Sequence, residues 1–145
     1  MIVIDTSLIY ALLDGRDAQH ERAVDWYERV DDDLVTTPLV LAEADHLAVH
    51  RAGARAAEAF RQDVAAGAYG IEWWPAAAAE AAQIATRYAG LGVSLTDASL
   101  VALAHRVEST RIATFDERHF RALRPLGGGD AFTLLPADAA PRSPA

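Results

Sequence analysis

The chain has 145 residues, with 13 basic against 21 acidic side chains and a formal net charge of −8. It contains neither cysteine nor lysine, which excludes disulfides, zinc–thiolate sites, cysteine nucleophiles, P-loop phosphate binding and Schiff-base chemistry. No apolar run is long enough to cross a membrane, and the first residues lack the basic start of a signal peptide. We therefore expect a globular protein of the cytoplasm.

Strand-like and helix-like segments alternate along the sequence. Short β-branched runs predict strands, and apolar residues at helical spacing predict helices, with Thr37-Pro38 as the clearest helix start. In chain order the predicted elements are strand 2–4, helix 8–13, helix 18–30, strand 34–36, helix 38–51, helix 54–66, strand 69–74, helix 76–88, helix 98–107, strand 111–114, a short helix through 119–123 and strand 132–135. This alternation predicts an α/β fold, a largely parallel sheet between helices, in one domain over residues 1–135 with a flexible tail over 136–145.

Four acidic residues occupy the ends of predicted strands or the starts of predicted helices. Asp5 ends the first strand, and Asp116 follows the strand over 111–114. Asp97 caps the helix over 98–107, and Glu43 lies in the first turns of the helix over 38–51. Because strand carboxyl ends and helix starts meet at one edge of a parallel sheet, the four carboxylates are expected to converge.

Such a cluster of carboxylates favours a divalent cation. Two carboxylates about 4 Å apart repel each other by ~4 kcal/mol at an effective dielectric constant near 20, and Mg²⁺ or Mn²⁺ removes that repulsion. A hydrated ion of this kind lowers the pKa of a bound water and holds a phosphate oxygen, as phosphodiester hydrolysis requires. A simpler interpretation stays open for each residue: Asp5 and Asp97 as helix caps, Asp116 as a turn residue and Glu43 as a surface charge.

Four short motifs carry a family resemblance when they are taken in order. They are Met1-Ile-Val-Ile-Asp5-Thr-Ser7, Thr37-Pro-Leu-Val-Leu-Ala-Glu43, Leu95-Thr-Asp97-Ala and Ile112-Ala-Thr114-Phe-Asp116. Together they resemble the PIN-domain ribonucleases and, more narrowly, the VapC toxins of bacterial toxin–antitoxin pairs. The resemblance covers residues 1 to about 135, and its order makes it more specific than any single motif.

The resemblance implies a three-layer α/β/α domain with a mostly parallel sheet and a Mg²⁺ or Mn²⁺ site that cleaves single-stranded or looped RNA. Asp5 and Asp97 would be the direct metal ligands, and Glu43 and Asp116 would complete the catalytic pocket. Two hydroxyls would orient a carboxylate or bound water, those of Ser7 and Thr114. The expected partner is a small antitoxin, and the expected assembly is a homodimer.

The acidic net charge argues against simple electrostatic attraction to RNA. Arg51, Arg55 and Arg61 lie on consecutive predicted helices and are candidates for phosphate contacts, although exposed charges unrelated to RNA are the more common explanation of such arginines. The segment over 51–67 is also a candidate groove for a partner helix. These assignments are predictions for RNA and antitoxin binding.

Other functions remain open from the sequence. One is a PIN nuclease without toxicity, acting on DNA or in RNA maturation, and another is a catalytically silent PIN-fold binding module. A phosphatase with an aspartyl nucleophile is disfavoured because no lysine is present. A zinc or iron site on Glu43, His46 and His50 is disfavoured because no second helix supplies the remaining ligands.

Overall fold

Five short parallel strands form the central sheet. In the computed structural model, which describes residues 1–140, they are β1 Ile2–Ile4, β2 Leu34–Thr36, β3 Gly70–Ile71, β4 Arg111–Ala113 and β5 Thr133–Leu135. Their spatial order is β3-β2-β1-β4-β5, and every neighbouring pair is parallel. The predicted, largely parallel sheet is confirmed.

Strand β1 lies at the centre of the sheet. Its residue Val3 pairs with Val35 of β2 on one side and with Ile112 of β4 on the other. All three residues of β1 are buried, which is why it is a continuous apolar run without alternation. The first strand of the chain therefore adjoins one of the last, and the intervening chain crosses the sheet through helices.

Helices cover both faces of this sheet. They are α1 Thr6–Leu13, α2 His20–Tyr27, α3 Pro38–Leu47, α4 Ala54–Ala65, α5 Ala77–Arg87, α6 Leu95–Arg106 and α7 Glu117–Ala122, with a π-helical turn at Ala48–Ala52 and a 3₁₀ turn at Ala89–Leu91. Helix α1 packs against α2 and α3, whereas α5 packs against α6, giving the α/β/α arrangement that the sequence predicts. None of the helices within residues 1–140 is both long and apolar enough to cross a membrane.

Two predicted boundaries are wrong at the functional edge. Helix α6 begins at Leu95, three residues before the predicted start, because Ser94 and not Asp97 is its N-cap. The Ser94 hydroxyl accepts a hydrogen bond from the Asp97 amide at 3.0 Å, so Asp97 lies inside the first turn. Helix α1 likewise begins at Thr6, directly after Asp5.

Other boundaries differ because tertiary contacts override local preference. The strand predicted over 69–74 is reduced to Gly70–Ile71, with one further bond from the Glu72 amide to the Thr36 carbonyl at 3.0 Å. The helix predicted over 38–51 is α-helical to Leu47 and then widens into the π-helical turn. The helix predicted over 18–30 is shorter at both ends.

Helix α6 is the most deeply placed helix. Its residues 97–104 are all buried, so the helix carries its polar first turn into the interior beside β1. The buried hydroxyls of Thr37 and Ser99 lie 2.9 Å apart and connect the start of α3 to this helix. Asp97 is thus the first residue of the buried part of this helix.

The carboxyl-terminal segment continues beyond β5 as a turn. Asp138 accepts hydrogen bonds from the Leu134 amide at 2.8 Å and from both terminal nitrogens of Arg121 at 2.7 Å. The flexible tail was predicted over 136–145, and its residues 141–145 lie outside the described part of the chain.

Candidate metal centre

Three separate segments bring acidic side chains to the carboxyl edge of the sheet. Asp5 follows β1, Asp116 follows β4, and Asp97 occupies the first turn of α6. The Asp5 amide donates to the Ala113 carbonyl at 2.9 Å, which ties the end of β1 to the end of β4. The predicted convergence is therefore observed for these three residues.

The Asp5 carboxylate is directed to side-chain hydroxyls and does not cap its helix. Asp5 is only 3% exposed, and its Oδ2 accepts hydrogen bonds from Ser7 Oγ at 2.8 Å and Thr114 Oγ1 at 2.7 Å. Helix α1 has no side-chain cap, so the capping interpretation of Asp5 is wrong. Burial, reinforced by the nearby Asp97 charge, raises the pKa of Asp5 to about 6 despite the two hydroxyl donors.

The two hydroxyls also hold the chain that follows β4. Ser7 Oγ accepts from the Phe115 amide, and Thr114 Oγ1 accepts from the Asp116 amide, each at 2.9 Å. Each hydroxyl thus donates to Asp5 and accepts from the backbone that carries Asp116. This is the geometry expected of residues that orient the acids.

Replacing Thr114 with valine tests this network with little change in shape. The variant leaves the Asp116 amide without its acceptor and Asp5 without one donor, so the free energy of unfolding is expected to fall by about 1–3 kcal/mol. Urea unfolding in EDTA measures the loss, and Thr114→Ser, which keeps the hydroxyl, is the control. Equal stability of the valine and serine variants would contradict this assignment.

Asp97, Asp116 and His119 form the tightest cluster of ligand-type atoms. One donor atom of each lies within 4.8 Å of the others. His119 Nδ1 is 3.2 Å from Asp97 Oδ2 and 3.1 Å from Asp116 Oδ2. Burial raises the pKa of Asp97, the Asp116 carboxylate raises it further, and His119 opposes both effects.

These residues fit a divalent cation. The carboxylates of Asp97 and Asp116 lie together. The Asp5 carboxylate is close enough for its charge to interact with that of Asp97. His119 Nδ1 is buried and makes no hydrogen bond, although both carboxylates are within ion-pair distance. Oxygen donors with one imidazole nitrogen are a donor set that divalent metal ions accept. The structure therefore has an acidic cluster suited to hold a metal ion.

Sequence reasoning did not identify His119. It lies one turn after Asp116, whose Oδ1 accepts from the His119 amide at 3.3 Å, so the two side chains share one side of α7. The available signal was the spacing Asp-x-x-His directly after a strand, since a carboxylate and a histidine three residues apart on a helix can bind one ion.

Glu43 is not part of this cluster. It lies on the exposed side of α3, and its carboxylate makes no hydrogen bond or ion pair within residues 1–140. The role predicted for it, like direct metal ligation by Asp5, stays a prediction. The His46 and His50 rings lie 4.2 Å apart, and no third ligand joins them within the described residues.

The three candidate RNA-binding arginines are all exposed, but their surroundings differ. Arg61 forms a two-pronged ion pair with Asp45, at 2.7 and 3.0 Å. The backbone carbonyl of Arg51 accepts a hydrogen bond from Arg16 at 2.8 Å. A phosphate would have to compete with Asp45 for Arg61.

A cavity of about 600 Å³ lies away from the acidic cluster. Its lining includes Trp74, His105 and Thr110, and contains none of the predicted site residues. Thr110 precedes β4, so the cavity lies at the opposite edge of the sheet. The size of this cavity therefore does not identify the candidate metal site.

Comparison with known proteins decides the family. The PIN domain matches residues 2–124. Ribonuclease VapC26 of Mycobacterium tuberculosis is 39% identical over 136 residues, which cover 93% of this chain and 100% of the relative. The chain belongs to the PIN-domain family of VapC ribonucleases. The sequence-based prediction of family and enzyme class is confirmed.

Solved structures share the fold of this PIN domain. Mycobacterium tuberculosis VapC20, a toxin that cleaves the sarcin–ricin loop, matches with a TM-score of 0.76 at 24% identity, over 81% of this chain and 91% of that one. FitAcB from Neisseria gonorrhoeae matches with a TM-score of 0.59 at 23% identity, over 83% and 91% of the two chains. A FitAB complex bound to a DNA fragment matches with a TM-score of 0.57 at 25% identity, over 80% and 85%.

Proposed function

We propose that this VapC-type ribonuclease is the toxin of a toxin–antitoxin pair and cleaves structured RNA, in loops of tRNA or rRNA, with bound Mg²⁺ or Mn²⁺. The observation that carries the proposal is the convergence of Asp5, Asp97 and Asp116 with His119 at the carboxyl edge of the sheet. Mutually repelling carboxylates held in place by buried hydroxyls are costly without a cation. A silent binding module has no need of them.

The protein residues hold and orient the reacting groups. Asp97 and Asp5 would hold the ion together with Asp116, and Ser7 and Thr114 fix the Asp5 carboxylate. When bound there, a divalent ion would supply the positive charge that lowers the pKa of a water and stabilises the phosphoryl oxygens. Glu43, exposed on α3, is proposed to complete the catalytic pocket.

The substrate class follows from the site and the relatives. A looped RNA presents a splayed backbone to an exposed edge of the sheet, and recognition by shape suits a protein with a net charge of −8. Arg51 and Arg55 are proposed phosphate contacts, with Arg61 after release from Asp45. VapC20 cleaves the sarcin–ricin loop, which supports a looped RNA as the substrate of this chain.

The partner proposals concern the acidic edge and the segment over 51–67. A small antitoxin would place one segment over the acidic edge and a helix against the segment over 51–67, where α4 has an exposed polar face beside Ala57 and Phe60 of the core. We further propose a homodimer that acts in the cytoplasm. A structure of the complex with no antitoxin contact at 51–67 would contradict the groove assignment.

Cleavage of total cellular RNA by the purified, antitoxin-free protein tests the function. Discrete fragments are expected with Mg²⁺ or Mn²⁺ and none with EDTA, and Asp97→Asn is expected to lower the rate by at least about a hundredfold. Asp63→Asn, which removes an exposed charge on α4, is the matched control and is expected to cleave normally. Folded protein that cuts neither RNA nor single-stranded DNA with either metal would identify a binding module instead.

A further inference from the structure

His119 is placed for a role that the four predicted acids do not fill. Its Nδ1 atom lies 3.1–3.2 Å from one oxygen each of Asp97 and Asp116. The atom is buried and hydrogen-bonded to neither oxygen. A buried ring nitrogen that makes no hydrogen bond and faces two carboxylates is available to bind a metal ion inside the cluster.

The backbone holds His119 in this position. Asp116 Oδ1 accepts from the His119 amide, and the next residue, Phe120, is buried in the core at 1% exposure. The backbone of His119 is therefore held beside Asp116, with the imidazole in contact distance of the cluster. Side-chain exposure of His119 is 24%, so the outer part of the ring reaches solvent while Nδ1 does not.

We propose that His119 Nδ1 is a direct ligand of the metal ion, together with Asp97 and Asp116, and that this nitrogen makes the centre prefer Mn²⁺ to Mg²⁺. The proposal rests on the proposed function, because it concerns the same ion. Mg²⁺ is a hard cation that binds oxygen almost exclusively. Transition-metal ions accept imidazole nitrogen, so a nitrogen donor shifts affinity toward Mn²⁺.

Pulsed electron paramagnetic resonance of the Mn²⁺-loaded protein tests the ligand directly and needs no activity. The wild type is expected to show ¹⁴N coupling to Mn²⁺ of the size given by a bound imidazole. His119→Ala and His119→Gln are expected to lose it, whereas His105→Ala, an exposed histidine at the opposite edge, keeps it. Absence of the coupling in the wild type, or its persistence in both His119 variants, would overturn the proposal.

Calorimetric titration with Mn²⁺ and Mg²⁺ tests the preference. His119→Gln is expected to weaken Mn²⁺ binding at least about tenfold and Mg²⁺ binding by much less, because glutamine still offers an oxygen. Equal weakening of both ions would show that His119 acts through structure alone and would overturn the preference.

RNA cleavage by the wild type separates this proposal from the proposed function. Cleavage without ¹⁴N coupling would refute ligation by His119 and leave the ribonuclease assignment intact. Coupling without cleavage of any RNA would support the ligand and refute the nuclease. Circular dichroism of both His119 variants verifies that they are folded before either result is read.

Discussion

Asp5→Asn is expected to make the metal-free protein more stable and to lower RNA cleavage by at least about a hundredfold. The same carboxylate that the reaction needs is buried, and its pKa is raised to about 6 from an ordinary value of 3.8. Since one pKa unit corresponds to about 1.4 kcal/mol, the ionised side chain costs the folded state about 3 kcal/mol at neutral pH. Asparagine removes this cost and still accepts both hydroxyl hydrogen bonds.

The sign of the effect fixes its pH dependence. Below pH 3.8 the carboxyl is protonated in both the folded and the unfolded chain, so the two proteins differ little. As the pH rises to about 6, the unfolded chain ionises first and the wild type loses stability relative to the variant. Above pH 6 the difference is constant at its full value.

Urea unfolding in EDTA at pH 4, 6 and 7.5 measures this difference, with Asp25→Asn as a control of the same charge change. Asp25 is 58% exposed on α2 and pairs with Arg29, so its variant makes the same charge change at a site that is not buried. Added Mn²⁺ should stabilise the wild type more than Asp5→Asn. An Asp5→Asn variant that is less stable than the wild type at pH 7.5 in EDTA would show that burying the ionised Asp5 carboxylate does not destabilise the folded protein.

Phe120→Ala is expected to lower the free energy of unfolding by about 3–5 kcal/mol. The ring is 1% exposed and anchors the short helix α7 in the core, directly after His119. Loosening α7 also displaces Asp116 and His119 from Asp97. A misplacement of about 1 Å costs on the order of a hundredfold in rate, so cleavage should fall as well.

Phe60→Ala separates the two consequences of the Phe120 substitution. Phe60 is as deeply buried, at 2% exposure, but it lies on α4 and packs near Tyr69. Both variants should lose similar stability in urea unfolding, while only Phe120→Ala loses cleavage and Mn²⁺ affinity at a temperature where both are folded. Equal cleavage by the two variants would show that α7 does not position the site.

Much of the fold could be predicted from the sequence because the residues of most strands and helices favour those elements locally. The runs at 2–4 and 34–36 are bounded by cap and turn residues, and the structure has strands at those positions. The strand over 69–74 was predicted too long, because Trp73 and Trp74 have strand propensity but lie beyond the last sheet pairing. Pairing with β2, and not propensity, determines where β3 ends.

The part of the site that depends on the topology of the sheet could be predicted from the sequence. Asp5, Asp97 and Asp116 follow from their places after strands and in a helix start. The predicted start of α6 was wrong by three residues, because Ser94 and Asp97 are both good caps and only the hydrogen bond decides between them. His119 was missed because its contribution is a buried ring nitrogen, which depends on side-chain packing.

The strand order has a consequence for when the enzyme can act during its synthesis. Strand β1 is synthesised first but pairs with β4, so the surroundings of Asp5 are incomplete until β4 has been synthesised. Asp116 and His119 are made later still, and β5 then covers the outer side of β4. A nascent chain therefore carries no assembled acidic cluster until residues 111–119 have been synthesised, and a chain truncated before them lacks Asp116 and His119.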